Sequence, residues 1–128
     1  LTAAETGHLV LSTLHTKGAA KTIDRIIDVF PPESQRQIRV QLSTVIEAVV
    51  SQQLFPLKHG QGMVPAVEVM VGTAAIRNMI REEKTHQIPS MIETGTRFGM
   101  RSMQASVEEL IRRDRIEATT VLDSSNYI

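Results

Sequence analysis

Residues 48–57 and 64–71 are two short runs of apolar, valine-rich sequence separated by the loop Lys58-His59-Gly60-Gln61-Gly62. Val67, Val69 and Val71 alternate with Glu68 and Met70, a period of two that marks a strand. The pattern predicts an antiparallel pair of strands. That hairpin limits the folds open to the chain, because most of the remaining sequence reads as helix and must pack around it.

Ala19 to Phe30 places Ile23, Ile26, Ile27 and Phe30 on one helical stripe. Pro31-Pro32 stops it. A second helix is expected from Pro32 or Glu33, where proline and an acid suit a first turn, to about Ile46. Ile38, Leu42, Val45 and Ile46 would face inward. Leu1 to Thr6 reads as the end of a helix closed by Gly7. His8 to Leu14, with apolar Leu9, Val10, Leu11 and Leu14, reads as a short buried strand. After Gly72 the chain is expected to be helical to its end. Thr73 is a suitable first cap, and Ser102 to Arg113 forms an amphipathic helix with Met103, Val107, Leu110 and Ile111 inward. The expected class is α/β: a few strands with helices over residues 1–72, then an all-helical region over 73–128.

A chain of 128 residues fits one domain with a modest core. Lys+Arg and Asp+Glu are both 14, so the sequence carries no electrostatic footprint for nucleic acid or anionic membrane. Trp 0, Tyr 1 and Phe 3 predict an aliphatic core and argue against base stacking. Cys 0 removes disulfides and thiolate metal sites, and fits a reducing compartment. No uncharged apolar run approaches the roughly 18 residues of a membrane span, so no transmembrane segment is expected.

Two segments concentrate the chemistry. In Ala75-Ile76-Arg77-Asn78-Met79-Ile80-Arg81-Glu82, a helix puts Ile76, Met79 and Ile80 on one face and Arg77, Asn78, Arg81 and Glu82 on the other. A solvated polar face is the ordinary reading. Two arginines at i,i+4 repel mildly, however, and a partner carboxylate or a neighbouring subunit would give them a use. The second segment carries His8 and His15. On a continuous strand their odd spacing puts them on opposite faces and more than about 20 Å apart, which excludes a shared metal. His15 lies between Thr13 and Thr16 at the carboxyl end of the expected strand, where open α/β sheets bind nucleotides, and a ring N–H there can donate to phosphate. His59 and His86 read as surface residues. Glu33, Glu47 and Glu68 show no paired-carboxylate spacing, and no serine has a Gly-x-Ser-x-Gly context.

Ala75 to Glu82 closely resembles the Ala-Ile-Arg-Asn-Leu-Ile-Arg-Glu motif of the type IV pilus retraction ATPases. It differs only by Met79 for Leu, a volume-conserving exchange. Gly7-His8-Leu9-Val10-Leu11-Ser12-Thr13-Leu14-His15-Thr16, followed by Ala19-Ala20-Lys21-Thr22-Ile23-Asp24-Arg25, resembles the histidine box of the same secretion-type superfamily. The resemblance runs from Leu1 to about Asp114.

It implies the distal part of a RecA-like P-loop ATPase core. It also implies a homo-hexamer that hydrolyses ATP with magnesium and a pilus platform protein in the inner membrane as partner. The location would be cytoplasmic, at the pilus base. His8 and His15 would lie near nucleotide, with His15 the catalytic candidate, and the helix of Ala75 to Glu82 would be the output element. A P-loop needs Gly-x-x-x-x-Gly-Lys-[Ser/Thr], and no Gly-Lys pair occurs. The chain therefore reads as the C-terminal part of a longer ATPase, inactive alone. Pilus-assembly and secretion ATPases are the rival within the superfamily, and many of those carry a four-cysteine zinc loop. A noncatalytic interaction domain is the rival outside it.

Overall fold

A computed structural model of the chain describes residues 1–123. A short helix α1 (Thr2–Glu5) leads into an extended segment, then α2 (Ala19–Asp28) and α3 (Pro32–Val45). The hairpin β1 (Ala48–Pro56) and β2 (Met63–Val71) follows. The remainder is helical: α4 (Ala74–Arg81), α5 (Ile88–Thr94), α6 (Met103–Arg112) and α7 (Ala118–Asp123), with single 3₁₀ turns at Thr85–Gln87 and Thr96–Phe98. The expected helical run to Ile128 includes residues 124–128, which lie outside the described residues.

The hairpin is antiparallel, as expected, with Ala48 opposite Val71 and Pro56 opposite Met63. Its register settles which face is buried. Ser51, Phe55, Val64, Ala66 and Met70 turn inward, and by alternation Glu68 shares that face. The valines Val50, Val67 and Val69 share the other, which is more exposed. The far edge of β2 is covered rather than open. Arg101 exchanges two backbone hydrogen bonds with Val69 at 2.8 and 3.0 Å, and Ser106 Oγ accepts from Val67 N at 3.0 Å. An uncovered row of N–H and C=O groups would be a template for aggregation.

Two apolar clusters make the core. One joins Ile23 and Ile27 of α2, Leu42, Met70, Ile76 and Ile80 of α4, and Ile88 and Ile92 of α5. The other joins Phe55, Val64 and Ala66 to Met103 and Val107 of α6 and to Ile116. Fully burying each such aliphatic side chain contributes about 1.5–3 kcal/mol. Among the described residues no helix is long and apolar enough to cross a membrane.

The strand expected at His8–Leu14 is absent. The segment has no ladder, and Leu9 and Leu11 are 85% and 86% exposed. A strand exists only where a neighbour takes up its backbone groups. β1 and β2 pair with each other, and no described strand pairs with 8–14.

Two helices end on an acidic residue in the left-handed region: Glu83 with φ 61 after α4, and Asp114 with φ 60 after α6. In both, the next residue's N–H returns to the last turn, Lys84 to Met79 O at 2.8 Å and Arg115 to Leu110 O at 2.9 Å. Both carboxylates then reach another element. Glu83 Oε1 lies 3.3 Å from Arg39 Nε of α3. Asp114 accepts from Lys58 Nζ at 2.5 Å and pairs with His59 Nε2 at 2.8 Å, closing the hairpin loop onto the end of α6.

The hydrogen bonds from Lys58 and then His59 hold the Asp114 carboxyl below its ordinary range, and Asp114 in turn raises Lys58. Arg101, and then Arg113, lower Glu109 in the same way. A carboxyl lowered by folding stabilises the fold above its unfolded value, about 4, and that contribution fades as pH falls through the folded value. The raised lysine contributes below its unfolded value, about 10.4, and is lost as pH rises through the folded one. Asp114→Asn is therefore expected to lower the thermal midpoint at neutral pH and to converge with the parent in acid. Midpoints scanned across acid and neutral pH check this. A gap independent of pH would show that the charge of Asp114 is not its cause.

Candidate functional site

α4 carries the Ala75–Glu82 motif. Thr73 caps it, its Oγ1 accepting from Ile76 N at 3.3 Å, and Ile76 and Ile80 are fully buried on its inner face. Met79 is half-buried; Ala75, Asn78, Arg81 and Glu82 are exposed.

The two arginines, expected to act as a pair, part company. Arg77 is half-buried and engaged throughout. Its Nε donates to Gly72 O at 2.7 Å, and its Nη1 donates to Ser43 O at 3.1 Å and Thr44 O at 2.7 Å. Nη2 donates to Glu47 Oε1 at 3.2 Å. Ser43 and Thr44 lie in the last turn of α3, whose carbonyls have no helical partner and carry the negative end of the helix dipole. A guanidinium fork suits that site better than an ammonium. Gly72 is obligatory beside it: an added Cβ would lie 2.4 Å from Ile46 O. The Arg81 side chain makes no hydrogen bond or ion pair among the described residues and lies on the exposed face. Sequence reasoning treated Arg77 as outward because carbonyls contributed by another helix leave no mark on a local pattern.

The histidine segment runs from Gly7 to Thr16. It lines an open cavity of about 1550 Å³, together with α1, Ile26 of α2, Val29 and Phe30 just past that helix, and the end of α3. His8 is committed locally. Its Nδ1 lies 3.2 Å from Ala3 O and 3.1 Å from Thr6 Oγ1, at the end of α1. A carbonyl can only accept, so Nδ1 carries the proton. His15 lines the same cavity, is exposed, and makes no hydrogen bond among the described residues. The two histidines are not joined through any common partner.

Among the described residues no group of three His, Asp or Glu side chains could hold a metal ion. His15 leaves an unpartnered imidazole on the cavity wall, which is not a complete nucleotide cradle.

One further group escaped sequence reasoning. Glu68, on the inward face of β2, accepts a hydrogen bond from Ala19 N at 2.8 Å, at the start of α2. The alternation of valines with Glu68 and Met70 marks the strand but does not say which of its faces is buried.

The split between the arginines gives a direct expectation. Arg77→Ala, which strands the α3 carbonyls and Glu47, should destabilise the protein by about 1.5–3 kcal/mol. Arg81→Ala should change stability by no more than about 0.5 kcal/mol. Denaturation midpoints of the two variants decide it, and equal losses would return the pair to a common role.

The family described as Type II/IV secretion system protein matches residues 1–114. The chain is 51% identical over 116 residues to the type IV pilus retraction ATPase PilT of Pseudomonas aeruginosa. It is 49% identical over 116 residues to a twitching motility protein of Neisseria gonorrhoeae. Each match takes in 91% of this chain but only 33% and 31% of the relative, so the chain spans about a third of the length of the curated relatives it matches. A crystal structure of the pilus retraction motor PilT with bound ADP superposes with a TM-score of 0.85 at 38% identity, covering 98% of this chain and 34% of that one. The arrangement of few strands and many helices is similar to that of the matching third of the PilT motor, and the chain belongs to the type II/IV secretion system protein family.

Proposed function

We propose that this chain is the C-terminal part of a hexameric ATPase motor that powers type IV pilus retraction, and so twitching motility. The observation that carries the reading is the Ala75–Glu82 motif on a helix whose inner face is buried and whose outer face is open. Similarity to PilT over nearly the whole chain supports the same reading. The motor is of the RecA-like P-loop kind and works in the cytoplasm against the inner-membrane platform of the pilus. ATP is its substrate, with magnesium bound alongside the phosphates.

The chain's own residues have two tasks in that cycle. His15 presents a free imidazole edge to the γ-phosphate and stabilises charge as it develops on the transferring group. His8 holds the start of the same segment. Most phosphate contacts belong to a glycine-rich loop that this sequence does not contain, so the chain alone hydrolyses no ATP. α4 is the output element. Arg77 locks it to α3, and Arg81 and Asn78 present the contact surface to a neighbouring subunit or to the platform.

Each task has its own test. In the full-length protein, Arg81→Ala should keep ATP turnover while pilus retraction fails, read as twitching on agar alongside hydrolysis. Normal twitching at normal expression would return Arg81 to a solvated face. His15→Ala should still bind nucleotide but lose turnover by roughly 10- to 1,000-fold, the scale of one positioned donor. Steady-state hydrolysis paired with a nucleotide titration measures it. Unchanged turnover would make His15 scaffold. A binding loss as large as the rate loss would mean uniform binding of ground and transition states.

A further inference from the structure

Between His8 and α2, the histidine segment is nearly unsupported. Among the described residues, no backbone hydrogen bond joins residues 9–17 to any other element. The first anchor downstream of His15 is its immediate neighbour. Thr16 Oγ1 lies 2.6 Å from Thr22 Oγ1. Thr22 Oγ1 donates its only proton to Gly18 O at 2.9 Å, so the Thr16 hydroxyl is the donor to Thr22. This network stands on the first turn of α2, and that turn has no cap of its own. Gly18, at the N-cap position with φ 93, offers no side chain. The cap comes from a residue 49 positions away: Glu68 Oε1 accepts from Ala19 N at 2.8 Å. A carboxylate there satisfies an orphan donor and sits at the positive end of the helix dipole. Bonds of this charge-assisted kind are roughly twice as strong as neutral ones.

We propose that Glu68 is a positioning residue for ATP hydrolysis. By fixing the start of α2 from the core face of β2, it fixes Thr16, and through Thr16 the neighbouring His15. Glu68 touches no substrate; it acts through the chain Ala19–Gly18–Thr22–Thr16. The proposal rests on the reading that His15 meets a nucleotide phosphate. A catalytic group displaced by about 1 Å can cost about 100-fold in rate, so the anchor is felt in turnover before it is felt in binding.

The test uses the full-length ATPase with four variants: Glu68→Ala, Glu68→Gln, His15→Ala and the double Glu68→Ala/His15→Ala. Glu68→Ala should lower kcat by roughly 10- to 100-fold with KM for ATP little changed. Glu68→Gln keeps an oxygen acceptor toward Ala19 N and should restore most of that loss. In the His15→Ala background, Glu68→Ala should lower kcat no further, because the group it positions is gone. If the Glu68→Ala losses multiply in both backgrounds, or Gln is no better than Ala, Glu68 is merely structural and the proposal is overturned. It is also overturned if Glu68→Ala retains full kcat while His15→Ala does not. Should Glu68→Ala fail to fold, Thr22→Val cuts the same chain beside Thr16 and must show the same loss confined to kcat. An unchanged kcat in His15→Ala overturns the phosphate reading itself, and with it the positioning role of Glu68. Hydrogen exchange at the Ala19 amide reports separately on the anchor, rising in Glu68→Ala if the cap is real.

Discussion

The Arg77 guanidinium is the point on which this arrangement of elements turns. Four separate pieces of backbone or side chain meet on it: the last turn of α3, Glu47 just before β1, Gly72 just after β2, and α4 itself. Each would otherwise end badly. A helix C-terminus leaves four carbonyls without helical donors, and burial of such groups unpaired costs about 1–3 kcal/mol each. One planar cation with its donors in a fixed fork answers several of them at once. The close approach of Gly72 to Ile46 lets the fork reach both sides, since any Cβ at Gly72 would push the two segments apart.

The acidic ends of α4 and α6 follow a second common logic. A non-glycine residue at positive φ costs roughly 1 kcal/mol, and glycine is the usual choice. Glu83 and Asp114 accept that cost and return a carboxylate placed to meet a base from another element. The α4 end is joined to α2 as well, since Thr85 Oγ1 donates to Asp24 Oδ1 at 2.9 Å. The ends of α4 and α6 are junctions, each tied by side chains to another element.

Much of this was legible in the sequence, and what was not shares one physical cause. The helices from Ala19 and Ser102 follow from apolar side chains at helical spacing, and the Thr73 cap from local hydrogen-bonding chemistry. The hairpin follows from alternation around a short glycine loop. Local pattern states which side chains need burial or which backbone groups need partners; it cannot state where those partners come from. His8 to Leu14 has a strand's composition but no neighbouring strand among the described residues. Arg77 has the spacing of a surface residue, but its acceptors lie on α3 and at the strand ends. Glu68 has no partner in the local pattern; its partner is an amide at the start of α2.

These nonlocal contacts form one continuous series. Thr16 is tied to Thr22 on α2, and Asp24 on the same helix is tied to Thr85 beyond α4. α4 is pinned near its start by Arg77 and just past its end by Glu83. A helix fixed at both ends moves with the body that holds it rather than bending within it. The histidine segment and the exposed face of Asn78 and Arg81 are thus connected through α2 by buried side chains and hydrogen bonds, with no long flexible loop between them. Packed elements of this kind shift between discrete arrangements rather than deforming gradually. A small change at the start of α2 therefore either leaves α4 where it is or moves it as a unit.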